Sequence, residues 1–583
     1  MAESVITFVV QSLSNLLVQK AEFFKGVHGQ VGWLRDELQR MQCFLKDADA
    51  KQDEDQGVRN WVTEIRTAAY DAEDIVDIFI LKMESQRRHG FIKRYALIFK
   101  EVLNLRKVGN EIEAFRARIS NISKSCETYG IKSIGEGTSS STSRERLRQL
   151  RRSSPRGVDK DIIGMKKDVT QLVARLLKKE NHLTVISLVG MGAKEEIFLE
   201  IHGKIEFPPS IKSRHQSIHS NFNPYFASKP SIPGLRSLLL FHPYDPTDSM
   251  KFLYLDTICG SFKLLRVLNL ENMQIGYLQK EIGRLINLRY LDLKNTGINQ
   301  LPSSMRYLKS LQTLDISGNV SLRKIPDMIC KMENLRHLYM NALTCTGKLR
   351  IDSLENLQTL SWIHIDNWKV KNSGNLANLR KLGVAVYSGS DLNRFLNSIA
   401  ELERLVSLQL VPVDTDIHLP SLSGISLLHS VTKLCLEGRI RMLPPPHEFP
   451  PNIAQLTLHK SFLCVNPMGV LKQLPKLSIL RLRKQSYTEN QMTIYAGGFP
   501  LLNSIELEGL EGLENLTIQD GAMPRLRQFR ISSCRGIEYL PAGIMSATSL
   551  QELEICRMTS AFVSRLRGKD NYKVKHIPSI TFS

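Results

Sequence analysis

The residues best equipped for chemistry are carboxylates and guanidinium groups, and they come in two sets. Glu73, Asp74 and Asp77 stand at i, i+1 and i+4 of one segment, and on a helix such like charges repel by roughly a few tenths of a kcal/mol per pair. Two arrangements relieve that: a solvated face helped by basic neighbours such as Arg66, or an arginine partner whose planar fork matches paired carboxylates. The second set supplies arginines at 236, 266, 289, 336 and 380, always in the second place of a recurring hexapeptide. If the repeats stack, that register forms a partial arginine column, so Glu73, Asp74 and Asp77 are expected to face some of Arg266, Arg289 and Arg336. Nucleophilic and metal chemistry find no support. The nine cysteines are scattered without a CxxC, and His337 and His459 have no partner at metal-ligand spacing. No catalytic residue and no metal are expected.

The elements that position these groups are a helical head and a repetitive body. Segments 3–22, 29–50, 56–86 and 105–126 read as helices, and in the third Trp61, Ile65, Ala69, Ala72, Val76 and Phe79 recur at three- and four-residue steps as a buried seam. A helical bundle over 1–130 follows. A Ser- and Arg-rich linker covers 131–158, and 159–230 connects it to the body. From 231 to 583 the pattern LxxLxL starts at 235, 265, 288, 311, 335, 357, 379, 405, 431, 453, 477, 502, 526 and 550. Its period of about 24 residues is that of a leucine-rich-repeat α/β solenoid. Each hexapeptide alternates as a half-buried strand must, and an apolar ladder such as Ile298, Leu301, Met305 and Leu308 closes the turn.

One repeat cannot bury its apolar face alone, so stability comes from stacking, and the strands line one wall. At about 4.8 Å between strands, fourteen of them would run roughly 60 Å, which suits another protein better than a small molecule. Outward positions on that wall include Tyr290, Asp292, His337, Tyr339, Arg481 and Arg483. Their mix of charge and aromatic surface is the expected partner face, although a solvated wall explains many such residues equally well.

Composition narrows the classes further. The 583 residues carry a formal charge of +20 and 42% apolar side chains, enough for several cores. Residues 1–86 are acidic and 87–160 strongly basic, which favours internal contacts as much as nucleic-acid binding, and nucleic acid is not the expected partner. Basic and aromatic residues interleave over 87–107, so peripheral contact with an anionic membrane stays open. No apolar run approaches the roughly 18 residues of a membrane span, and the scattered thiols fit a reducing cytoplasm.

Taken together, these features resemble the plant intracellular immune receptors of the coiled-coil, nucleotide-binding, leucine-rich-repeat class. Glu73-Asp74-Ile75-Val76-Asp77 resembles the acidic motif of their Rx-like N-terminal domain, and the start of the chain through Phe8, Val10, Leu13, Leu16 and Leu17 is similar to their amphipathic first helix. The resemblance implies a signalling head, sensing repeats, and an ADP/ATP switch between them.

At the switch the sequence departs from the class. Val185 to Gly192 is similar to the strand and first glycines of a phosphate-binding loop, with Gly190 and Gly192 as vestigial nucleotide-binding positions. The motif then needs Gly, Lys and Ser or Thr where the chain has Glu195, Glu196 and Ile197. Backbone amides cradle phosphates and lysine neutralises them, so two glutamates would repel the ligand. No cofactor is expected, and 159–230 reads as a truncated remnant of an α/β nucleotide-binding domain, poorly ordered or held in a makeshift way because the partners of its apolar strand are missing.

The leading reading is a non-enzymatic, disease-resistance-type protein of the cytoplasm. Its repeats would bind a pathogen effector or a guarded host protein, while the head signals, regulates or meets full-length relatives. An ADP/ATP-dependent switch and a truncated regulator or decoy remain as alternatives.

Overall fold

The computed structural model describes residues 56–87, 116–122, 198–202, 213–219, most of 230–241, and 254–582 with short gaps, the longest being 342–350, together with scattered positions near the start. The chain divides into two compact units. One is Met1–Ser237 with Ser261–Leu264, and the other is Leu238–Gly260 with Leu265–Ser583. Among the described residues no helix is long and apolar enough to cross a membrane.

In the first unit the long helix α1 spans Gln56–Arg87. Val58, Trp61, Val62, Ile65, Ala68, Ala69 and Ala72 are buried along it, as three- and four-residue spacing requires. Val76 and Phe79, expected in the same seam, have side chains outside the described residues. The Trp61 indole Nε1 donates to the Ile122 carbonyl at 2.9 Å, which ties α1 to the helical residues 116–122, where Ile119 and Ile122 are buried. Arg118 and Asp71 add an ion pair at 2.6 Å. The other expected helices lie mostly outside the described residues, although helical positions recur over 32–40.

The same unit holds two strands, β1 (Phe198–His202) and β2 (His215–His219), paired parallel in register from Phe198 against His215 to His202 against His219. Both fall inside the segment read from sequence as a remnant either poorly ordered or held in a makeshift way, and this part of it is paired strand. The reason is local: His-Gln-Ser-Ile-His buries its three central residues and needs no nucleotide-domain sheet to do so. The segment 159–197, including the strand-like stretch from Val185, lies outside the described residues.

The second unit is a repeating parallel sheet. Strands Val267–Asn269, Tyr290–Asp292, Thr313–Asp315 and His337–Tyr339 pair in order, Leu268 opposite Leu291, Leu291 opposite Leu314, and Leu314 opposite Leu338. The ladder continues through Thr359–His364, Lys381–Val386, Ser407–Pro412, Lys433–Glu437, Gln455–His459 and Ile479–Arg483. It ends with Ser504–Glu508, Gln528–Ser532, Glu552–Cys556 and Ser579–Phe582. Gln491–Ile494 and Asn515–Ile518 form a separate parallel pair. The first, fourth and sixth residues of each hexapeptide are the core: Leu288, Leu291 and Leu293, then Leu311, Leu314 and Ile316, are completely buried. Each strand therefore contributes three apolar side chains to one continuous interior.

Short 3₁₀ turns return the chain to the next strand, at Lys280–Arg284, Ser303–Tyr307, Asp327–Lys331 and Ala542–Ser546. Pro302, Pro326 and Pro541 stand extended just before the last three of these, where a missing N–H costs nothing. Buried Asn319 stitches neighbouring turns. Its Oδ1 accepts from the amides of Thr296 and Ile298, and its Nδ2 donates to the carbonyls of Leu293 and Ile316. Gly318 beside it has φ +74°, and a Cβ there would fall 1.8 Å from Asn295 Oδ1, so only glycine fits.

Candidate functional site

The acidic motif lies on α1 in the first unit, and it is buried rather than solvated: Glu73 is 5% exposed and Asp77 7%. Two arginines hold it. The Arg236 guanidinium, 4% exposed, donates through Nη1 to Asp77 Oδ2 at 2.6 Å and through Nη2 to Asp74 Oδ1, and its Nη2 is 3.8 Å from Glu73 Oε2. Arg214 grips Asp74 as a parallel fork, Nη1 to Oδ1 and Nη2 to Oδ2, both at 3.1 Å. Its guanidinium plane lies over the Tyr70 ring, 4.1 Å from the centroid, adding a cation–π contact one helical turn before Asp74.

Backbone geometry sets both arginines. The amides of Arg236 and Ser237 donate to the Arg214 carbonyl at 2.7 and 3.1 Å, which fixes the two side chains side by side. Gly234 lets Asp74 approach, since a Cβ there would sit 3.3 Å from Asp74 Oδ2. In these contacts three carboxylates meet two guanidiniums. Burial pushes the Asp74 carboxyl above its ordinary range, with Arg236 and then Arg214 pulling the other way. The fork geometry and low exposure make this a specific latch, while desolvation limits the net stability it supplies.

The sequence expected Arg266, Arg289 and Arg336 in this role. Arg236, the first member of the same second-place series, holds the motif together with Arg214, which belongs to no hexapeptide. Arg266, Arg289 and Arg336 belong to the second unit.

On the outward wall of the second unit, the expected partner residues divide by environment. Asp292 is 5% exposed; its Oδ1 accepts from the Lys294 amide and its Oδ2 from the Tyr290 hydroxyl, both at 2.9 Å. The same turn recurs where Asp315 accepts from the Ser317 amide and Asn269 from the Glu271 amide. The fifth hexapeptide place in these repeats is thus a turn-forming position, and Asp292 is not a free contact. Burial, and then the Asp292 charge, push the Tyr290 hydroxyl up.

His337 and Tyr339 stack with ring centroids 6.5 Å apart, and His337 Nδ1 lies 3.1 Å from Thr359 Oγ1. Arg481 and Arg483 converge on Glu506, Arg481 Nε at 3.1 Å and Arg483 Nη2 at 2.9 Å. Arg483 also reaches Glu508 at 3.4 Å, and Arg530 pairs with Glu554 at 3.4 Å. The arginines read as partner contacts are therefore already neutralised across strands; the signal in the sequence was a glutamate in the same place one repeat later. Gly190, Gly192, Glu195, Glu196 and Ile197 of the broken phosphate loop lie outside the described residues.

Comparison with known proteins adds the lineage. A family model described as a leucine-rich repeat region matches residues 235–560, and one described as the Rx N-terminal domain matches residues 5–96. An Arabidopsis thaliana protein named as a disease resistance protein is 44% identical over 197 residues, covering 33% of this chain and 23% of that one. The Arabidopsis thaliana disease resistance protein RPP8 is 30% identical over 264 residues, 44% of this chain and 29% of its own length. The chain spans less than a third of the length of these relatives. A solved leucine-rich-repeat protein of Leptospira interrogans covers 60% of this chain and 90% of its own, at 21% identity and a TM-score of 0.35. With more than half of its length matched by the repeat family, the chain belongs to the leucine-rich repeat family, and an Rx N-terminal domain match precedes the repeats.

Proposed function

We propose that the repeats recognise a pathogen effector or a guarded host protein, that the helical head signals or regulates, and that both do so without a nucleotide. The observation that carries the reading is the parallel ladder from Val267 to Phe582, whose outward face presents side chains of varied size and charge in fixed register. Such a wall holds a macromolecular partner without any catalytic constellation. The latch of Arg214 and Arg236 on the acidic motif gives the head a defined resting arrangement, which a regulatory head requires. The loss of the phosphate-loop lysine and hydroxyl, replaced by Glu196 and Ile197, supports action without ADP or ATP.

Two measurements test this. Proximity labelling in leaf tissue with the full chain should mark proteins that are lost when Tyr339→Ala and Gln409→Arg are introduced on the wall, Gln409 being a half-buried outward residue of the strand Ser407–Pro412; an unchanged set would remove the recognition reading. Equilibrium binding of labelled ADP and ATP should show no saturable site, whereas one equivalent bound at micromolar affinity would restore the switch.

A further inference from the structure

Cations on the outward wall are of two kinds. Toward the end of the ladder they are internally paired: Arg481, Arg483 and Arg530 with Glu506, Glu508 and Glu554, and Lys460 with Glu437. Toward its start the carboxylates are Asp315, in the fifth hexapeptide place, and Glu271, just past its hexapeptide, with Lys294 bound to Glu271 at 2.7 Å, while the second-place Arg266 and Arg289 are half-buried and engaged. Between the two stretches, Arg336, Arg380, Lys381 and Lys433 are exposed, and no carboxylate among the described residues pairs with any of them. His337 registers their field: burial first, then Arg336 and Lys381, hold its imidazole below the ordinary range.

These groups lie in two adjacent registers: Arg336 and Arg380 stand in the second hexapeptide place, two strands apart, and Lys381 and Lys433 in the third. His337, Thr359, Lys381, Ser407 and Lys433 are successive partners across five neighbouring strands, so the cationic steps fall every second strand, about 10 Å apart. Stacking unpaired like charges in adjacent rows works against the fold, and a local conflict of this kind marks a surface kept for something other than stability.

We propose that the two adjacent rows, Arg336 with Arg380 and Lys381 with Lys433, are a docking surface for an acidic polypeptide segment with carboxylates about 10 Å apart. This deepens the recognition reading above and rests on it. A polyproline-type segment with an acidic residue at every third position meets that spacing, since three residues advance roughly 9 Å on one face. Nucleic acid fits worse. Its backbone carries one charge per roughly 3.4 Å of each strand, and any continuation toward the start of the wall would meet Asp315 and Glu271. The neighbouring carboxylates instead favour a partner that turns neutral or basic beyond its acidic stretch.

The test uses the full chain and a fluorescein-labelled peptide of five Glu-Pro-Pro triplets, read by fluorescence anisotropy at low salt. Controls are an isomeric peptide with its five glutamates contiguous and an oligothymidylate of equal charge. The spaced peptide should bind at least threefold more tightly than either control. Affinity should fall at least tenfold in the double variant Lys381→Glu with Lys433→Glu, and less than twofold in Arg530→Gln. If the double variant unfolds, Lys381→Gln with Lys433→Gln replaces it, with at least a threefold loss expected. Equal affinity of the spaced peptide and the oligothymidylate, or an unchanged affinity in the double variant, would overturn the proposal. Partner labelling that survives the double variant but is lost with Tyr339→Ala and Gln409→Arg would sink this inference alone and leave the recognition reading standing.

Discussion

Replacing Arg236 with methionine removes the guanidinium that serves Asp77 and Asp74 while keeping the stem that packs beside them. In the intact cluster three carboxylates face two guanidiniums; in R236M they face one, with Glu73 and Asp77 almost fully buried. Breaking a buried pair by deleting one partner costs about 3–5 kcal/mol, because the charge left behind is desolvated and unmatched. Deleting the matching carboxylate as well, in R236M with D77L, returns the cluster to two carboxylates against one guanidinium, and apolar replacements for a buried pair are often near neutral. The double variant should therefore recover about 2 kcal/mol or more of the loss, a coupling well above the roughly 0.5 kcal/mol scatter of independent sites. Because the chain has two units, global unfolding is the wrong readout. Hydrogen exchange of α1 amides over residues 61–77 reports the local opening free energy directly. Unchanged exchange in R236M, or strictly additive effects in the double variant, would refute the latch.

Further expectations concern single interactions. Asn319→Ala leaves several buried backbone groups in two turns without their partner and should lower the urea stability of the repeats by about 3–5 kcal/mol, with Asn319→Asp in between because it keeps the acceptor; equal midpoints would show that the turns do not depend on this side chain. Trp61→Phe loses only the indole donor to Ile122 and should cost about 1–2 kcal/mol, seen as faster exchange at residues 116–122. The His459 contact, opposed by burial and aided by the charges of His459 and Lys460, holds the Glu437 carboxyl below its ordinary 4.5. A depressed carboxylate stabilises the fold above that value and loses the contribution as pH falls through its folded value. Glu437→Gln should thus be less stable than the parent chain by about 0.5–1 kcal/mol at pH 6, and the gap should shrink as pH falls below 4.5, in thermal melts; a pH-independent gap would contradict the pairing.

How much of this was legible depended on whether a residue's role is written in its own repeat or in its neighbour. Leu288, Leu291 and Leu293 announce their burial by spacing alone, as do Trp61, Ile65, Ala69 and Ala72 on α1. Asp292 does not: alternation points it outward, yet its short side chain turns back to the Lys294 amide, a habit visible only when Asn269 and Asp315 are aligned with it. Arg481 and Arg483 read as open contacts because Glu506 sits 23 to 25 residues away, and only the strand register makes it adjacent. The latch was half legible. Paired carboxylates implied arginine, and the second-place series included Arg236, but Arg214 lies on a strand-forming segment that resembles no hexapeptide.

The shared carbonyl of Arg214, accepting from both Arg236 and Ser237, has a mechanical consequence. The two forks are bolted to one short stretch of backbone, so α1 cannot peel away by surrendering one carboxylate at a time. Release must break both grips nearly together, which makes the head behave as a catch with a threshold: weak tugging yields no creep, and a pull beyond that point frees it in a single event.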